Sequence, residues 1–486
     1  MNVKTSLSLL LLLLSPFFFG ECLAQQALIN EIRAAWLTTN WGLDWPTQNT
    51  SVEFQKKELV KILDEMKAAK INVILFQARA QGAVFYNSKY QPKSSFFNHA
   101  DNFDPLAFAI EECHKRGMEC HAWLITFPVE KQKTTGKGKR KKIIKETRPD
   151  NYKLFEERWY LDPGHPDTQK QLVDIVDELV SNYDIDGIHF DYIRYPSNTQ
   201  EFPDKDTYKL YGKGKSLHDW RRDNINNIVT AIYDKTKSIK KWVQVSSSPL
   251  GRYRVLPEVN RNDGWTARET VFQDAGRWMQ EGKHDLVFPM IYYRKQNFEP
   301  FLIDWIANSG GRHIVAGIGL YQMQSDEQNW KLDDITAQLK FARENKIGGL
   351  AFFRINNIRN NMKGIRDTLG VFYNTEAKLP PLTWLSTEKP SSPIEIRAYR
   401  DSTETLHLEW DGDSSMMYNV YFSLDNECDI NNPYTLLEAR VKGNKYSFDY
   451  TIGDFGYYYT VTASDRYHNE SDPCYPVYFV HSKEEH

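Results

Sequence analysis

Eight short apolar segments separated by stretches of helical spacing constrain this chain more than any other feature. They read IRAAWLTT (32–39), NVILFQAR (72–79), ECHAWLIT (119–126), DGIHFDYI (186–193), WVQVSSSP (242–249), DLVFPMIYY (285–293), HIVAGIGL (313–320) and GGLAFFRI (348–355). Between most of them lie amphipathic stretches such as Phe54 to Ala69, Pro105 to Arg116 and Thr168 to Tyr183. Strand and helix alternating in this way predict an α/β fold, the (β/α)8 TIM barrel. The near-continuous apolar character of the strands fits a parallel sheet buried on both faces. An open doubly wound sheet would also alternate, but no GxGxxG follows the first strand and no Walker loop occurs.

The pattern has two edges. Before it, Lys4 precedes an apolar run from Leu7 to Phe19 and then the small-residue site Cys22-Leu23-Ala24, the order of a secretory signal peptide. Residues 1–24 are therefore set apart and export is expected, to the periplasm or the outer cell envelope. The run is shorter than the roughly 20 residues that span a bilayer. Cys22 adds a second reading, a lipid-anchored cysteine at the mature N-terminus, against which Glu21 is a poor match. After the barrel, assigned to residues 25–378, a Pro- and Ser-rich linker over 379–393 leads to short alternating strands: IEIRAYR, LHLEW, YNVYFS, YSFDY and YYYTVTASD. Residues 394–482 read as a small all-β sandwich and resemble a fibronectin type III module, with Trp410 on an early strand and YYYTVTASDRYHNES late.

The formal net charge is −3, which gives no overall field for a polyanion, so no nucleic acid partner is expected. The 13 Trp, 27 Tyr and 26 Phe are numerous, and aromatic faces stack on sugar rings as well as filling cores. Lys131 to Arg148 concentrates basic residues after the third strand, either a solvated loop or a cationic rim for an anionic glycan. Cys113, Cys120, Cys428 and Cys474 are too scattered for a disulfide framework; Cys428 and Cys474 either pair or stay free.

Barrels of this kind build their sites at the C-terminal ends of the strands. Asp191 closes the fourth strand beside Tyr192 and Arg194, while Asp186 opens it and reads as structural. His189 lies two residues before Asp191 on the same face. Other segments offer groups that grip a polyhydroxylated ligand: Trp36 and Trp41, Gln77 and Arg79, His121 and Trp123, then Tyr292 and Tyr293. Glycoside hydrolysis needs two carboxyl groups. Asp191 serves as the first, which stabilises or attacks the developing oxocarbenium carbon; Asp274 is the preferred second, which protonates the leaving oxygen, ahead of Glu130 and of Asp162, which also suits a helix cap. No HExxH or GxSxG appears, and the histidines show no metal spacing, so neither a metal nor a cofactor is expected.

Together these residues resemble glycosyl-hydrolase-like family ten, through EIRAAWLTT, FQARAQG, FDPLAFAIEECHKRGMECHAWL, WYLDPGHPDTQ, DGIHFDYIRYP and DLVFPMIYY between Glu31 and Asn374. The resemblance implies a barrel acting on glycosidic bonds of bacterial envelope glycans, with relatives that act on peptidoglycan strands stripped of stem peptides. It also implies roles for Asp191, His121, Trp123, Asp162 and Tyr292. Two departures stand out. Ala83 occupies a position where the family has Asp, and Ile125-Thr126 replaces Asn-Pro. The leading expectation is an exported glycoside hydrolase cleaving a bacterial cell-wall or other polysaccharide glycan. The rival, motivated by Ala83, is a non-catalytic glycan-binding protein of the envelope; a third reading makes the C-terminal module an adhesion element.

Overall fold

The structure is a computed structural model that describes residues 27–97, 102–135, 142–143, 147–259, 264–403, 405–449 and 456–480. The expected leader and Cys22 lie outside the described residues, as does half of the basic stretch 131–148. The chain divides into two compact units. One comprises Ile32–Asp64 and Val73–Asn356; the other comprises the residues up to Glu31, Glu65–Asn72 and those from Asn357 onward.

The first unit is a closed parallel barrel. Its strands are β1 (Ile32–Leu37), β2 (Val73–Ala80), β3 (Glu119–Ile125), β4 (Gly187–Asp191), β5 (Gln244–Ser247), β6 (Leu286–Val287), β7 (His313–Gly319) and β8 (Gly349–Phe353). Each pairs with its neighbour in parallel register, and β1 closes the ring against both β2 and β8. Every residue of β2 is buried, as a strand covered on both faces requires. β6 pairs over only two residues of the expected DLVFPMIYY segment. Pro289 has no N–H to continue the ladder, and the chain goes on through single bridges at Met290.

The helices between strands follow from their caps and spacing. In α1 (Pro105–Lys115), the Asp104 side chain accepts the Ala107 N–H at 3.0 Å, and proline fills the first turn. In α2 (Pro166–Asn182), Leu172, Ile175, Val176, Leu179 and Val180 form the buried stripe, at intervals of three and four.

The second unit carries two antiparallel sheets. One joins β9 (Ile394–Arg400), β10 (Thr405–Asp411) and β13 (Lys445–Asp449). The other joins β12 (Leu436–Lys442), β11 (Met417–Ser423), β14 (Gly456–Ser464) and β15 (Val477–Val480). Leu406, Leu408 and Trp410 from the first sheet share a core with Tyr418, Val420, Tyr459 and Val461 from the second. β12 and β15 were not among the expected strands; LLEARVK is rich in helix formers, and it sits in the sheet with Arg440 at φ 58° and an irregular register. All four described cysteines are free thiols.

Candidate functional site

Alternation along β4 puts Gly187, His189 and Asp191 on one face, and the register stacks them in layers. In the lowest layer Gly187 stands opposite His121 and Gln244. A Cβ at Gly187 would lie 2.5 Å from the His121 ring, so glycine is what admits the imidazole. His121 Nε2 meets Glu119 at 3.0 Å, and Gln244 donates to the same carboxylate at 2.9 Å.

His189 occupies the middle layer. The Trp36 indole N–H points at its Nε2 at 3.4 Å, Ser246 Oγ lies 3.0 Å from Nδ1, and the Phe288 ring packs 5.0 Å away. β1 and β4 are not neighbours, so the Trp36 contact crosses the barrel interior. Burial, with His121 and His284 nearby, holds the His189 imidazole well below its ordinary pKa and therefore neutral. Trp36, His121 and His189 are thus packed within the barrel, each at most 2% exposed.

Asp191 forms the upper layer, at the mouth. Burial raises its carboxyl above the usual carboxylate range, while Arg194, the Ser248 hydroxyl, the Tyr192 backbone N–H at 2.8 Å and the Trp123 indole pull it back. Ser248 Oγ and Trp123 Nε1 are buried, face the Asp191 carboxyl and have no other hydrogen-bond partner. The backbone behind is held by the Thr126 N–H donating to the Asp191 carbonyl at 2.8 Å. Tyr192, at φ 52° and exposed, lies under the Arg194 guanidinium at 4.8 Å. The Asp191 carboxylate, followed by burial, pushes the Tyr192 phenol up. Tyr292 completes this group: it stacks on Phe353 and meets Tyr321 edge-on at 5.7 Å. Burial first, then Tyr321, Asp191 and Tyr192, raises its phenol well above the ordinary value.

Gln77 and Arg79 support the mouth from behind. Gln77 Oε1 accepts the N–H groups of Thr39 and Asn40 at 3.0 and 2.8 Å, which fixes the loop carrying Trp41, exposed at 60%. Asp44 and Arg354 pair at 2.7 Å, and Arg354 and Asn356 both donate to the Leu43 carbonyl of the same loop. Arg79 donates to the Ile125 carbonyl and, at 3.1 Å, to that of Thr126; burial lowers its guanidinium to about 10. The Ile125-Thr126 pair thus lies between Arg79 and Asp191.

Three expected residues make their contacts elsewhere. Asp274 accepts the Tyr253 hydroxyl at 2.7 Å and lies 3.8 Å from Arg268. Asp162 is fully buried and accepts Gly164 N–H at 3.0 Å and the Thr207 hydroxyl at 2.5 Å. Tyr293 packs on Phe301 and under Arg252. Asp186, read as structural, joins His114 at 2.8 Å and the Cys120 N–H at 2.9 Å. Ser248, Thr126 and Tyr321 were not singled out as binding residues. Register alone reaches Ser248, because Ser246 stands opposite His189 and two residues on means opposite Asp191.

Among the described residues no cluster of three or more His, Cys, Asp or Glu is placed to hold a metal ion, and no helix is long and apolar enough to cross a membrane. The arrangement is a carboxyl group of raised proton affinity, with two donors facing it and aromatic rings around it, at a barrel mouth. Glycosyl hydrolase YngK of Bacillus subtilis (strain 168) is 29% identical over 469 residues, covering 91% of this chain and 92% of that protein. Glycosyl hydrolase DigH of Escherichia coli (strain K12) is 28% identical over 343 residues, 64% of this chain and 78% of that one. Among solved structures, the PgaB (BpsB) glycoside hydrolase domain from Bordetella bronchiseptica aligns over 70% of this chain and 99% of its own, at 14% identity and a TM-score of 0.45. Residues 31–325, which hold the first seven barrel strands and the group around Asp191, match the glycosyl hydrolase-like 10 family, and the chain belongs to that family.

Proposed function

We propose that this chain hydrolyses glycosidic bonds of a bacterial cell-wall glycan of the peptidoglycan type, with Asp191, expected from sequence as the stabilising or attacking carboxylate, instead delivering the proton to the leaving oxygen. Water then adds at the anomeric carbon and returns a proton to the Asp191 carboxylate. The observation that carries this reading is the setting of Asp191: a buried carboxyl of raised proton affinity beside two donors that have no other partner. Glycosidic cleavage requires a proton on the departing oxygen, and a carboxyl of raised proton affinity is suited to supply it. Ser248 and Trp123 then favour the carboxylate that remains, and Tyr192, Tyr292 and Trp41 offer ring faces to the sugar. Membership of a glycosyl hydrolase-like family supports the same class of chemistry. The leader-like residues 1–24 support export to the periplasm or outer envelope, either free or anchored through Cys22. The C-terminal sheets fit a fibronectin type III-like spacer or docking module.

The test is digestion of purified glycan strands, free of stem peptides, by the wild type and by Asp191→Asn, with reducing ends and product lengths measured. The substitution is expected to lower turnover by about 100-fold to 10,000-fold, the usual contribution of a positioned acid. Turnover unchanged in Asp191→Asn removes Asp191 from the chemistry. A second reading, glycan binding without cleavage, is favoured by Ala83 standing where the family has Asp. Calorimetric binding by the wild type with no reducing ends released would select it.

A further inference from the structure

The turn Asp162-Pro163-Gly164-His165 is used by neither the barrel mouth nor the proposed cleavage, yet it walls a separate cavity of about 340 Å³. His165 and Gln169 line it from the start of α2. Tyr211 lines it from the end of the helix Lys205–Tyr211, and Trp220, Asn224 and Asn227 from the first turns of the helix Leu217–Ile239. It shares no lining residue with the group around Asp191.

Several buried contacts build this cavity. The fully buried Asp162 carboxylate ties the turn to the Thr207 hydroxyl, and Pro163 and Pro166 fix φ on either side of Gly164-His165. A Cβ at Gly164 would lie 2.3 Å from the Trp220 ring, so the turn closes on the indole only as glycine. Trp220 is 3% exposed and cannot swing away without opening the core. Tyr211 stands edge-on to His165 with ring centroids 5.8 Å apart. On the lip Lys215 and Asp223 pair at 2.5 Å, and Lys213 beside them adds one positive charge.

Three amide side chains beside two aromatic rings, with charge confined to the lip, suit a ring of hydroxyl and acetamido groups. The volume lies at the low end of the ~300–1,000 Å³ of small-ligand pockets, which suits one pyranose and not a length of polymer. We propose that this cavity is a second glycan-binding site, which holds one sugar of the chain away from the bond being cut. The proposal rests on the reading of a glycan substrate. Its effect is to raise the local concentration of a long or insoluble glycan at the mouth, with no effect on a short one.

The test uses the full chain with Tyr211→Ala and, separately, with the exposed Asn227→Ala, which leaves the fold's core untouched. Retention on insoluble purified cell-wall glycan is measured beside cleavage of a soluble N-acetylglucosamine hexamer. Each variant is expected to lose about tenfold in retention, the effect of one lost contact, with cleavage of the hexamer unchanged. Retention equal to wild type in Asn227→Ala and in folded Tyr211→Ala overturns the proposal, as does an equal loss in both readouts. If the wild type cleaves nothing, the reading of hydrolysis fails while the retention arm still decides the cavity.

Discussion

The Trp36 indole N–H and the His189 Nε2 meet across the barrel interior at 3.4 Å. With Nε2 accepting, the proton sits on Nδ1 and goes to Ser246 Oγ at 3.0 Å, so the neutral imidazole is satisfied on both sides. Trp36 and His189 therefore act on the stability of the barrel. Trp36→Phe removes the donor and leaves a buried acceptor unpaired, which costs about 1–3 kcal/mol before any loss of packing. Denaturant unfolding is expected to show that loss, while KM for glycan strands stays within twofold of wild type, about 0.4 kcal/mol. A raised KM at unchanged stability would put Trp36 in contact with the sugar.

How deep a residue lies along a strand was the part hardest to read from sequence. Alternation assigns Trp36, His121, Trp123, His189 and Asp191 to inward faces, because period two is a local property. Which of them reaches the mouth depends on the stagger between strands, which is set by the closed barrel as a whole. The place of Asp191 at the mouth is legible because it is the last residue of its strand and is followed by Arg194. Asp274 and Asp162 were ambiguous for another reason: a carboxylate in a loop looks the same whether it accepts from a tyrosine, caps a turn or faces a substrate. β12 is not legible in the sequence because its helix formers are overridden by pairing with β11, a tertiary effect.

His284 makes stability depend on pH. It is 1% exposed, with Nε2 3.0 Å from Ser247 Oγ, and burial lowers its pKa from the ordinary 6.5 to about 4. Between those values the unfolded chain holds a proton that the folded chain does not. The contribution is fully present above pH 6.5 and is lost as pH falls toward 4, about 3 kcal/mol for the whole titration. His189 acts in the same direction, whereas Asp191 and Asp162, whose carboxyls are raised, act in the opposite one. Unfolding free energies measured from pH 7 to pH 4 are expected to fall less steeply in His284→Gln than in wild type. Equal slopes would mean that His284 titrates normally in the fold.

Arg221 and Asp204 form a bidentate pair at 2.8 and 2.6 Å, with side chains 3% and 0% exposed. A buried pair adds little net stability over apolar packing, but removing one partner strands the other charge. Arg221→Met is expected to cost about 3–5 kcal/mol, and the double variant Asp204→Leu, Arg221→Met markedly less. Additive losses in a double-mutant cycle would show that the two side chains contribute independently.

The assignment of Asp191 as proton donor carries a signed prediction. A general acid works while protonated, so kcat/KM falls as pH rises through its raised pKa and produces an alkaline limb. Ser248 and Trp123 favour the charged form of Asp191, so removing either donor raises that pKa further. Ser248→Ala and Trp123→Phe should each move the alkaline limb to higher pH. They should also lower kcat by about 10-fold to 100-fold, because the carboxylate left after proton transfer loses a donor. Arg194→Met should move the limb the same way through the loss of its charge. Profiles of kcat/KM on soluble glycan strands decide the matter. A limb that moves to lower pH, or stays in place in all three variants, would assign the titrating group to another residue and leave Asp191 as an ionised stabiliser of the developing positive charge.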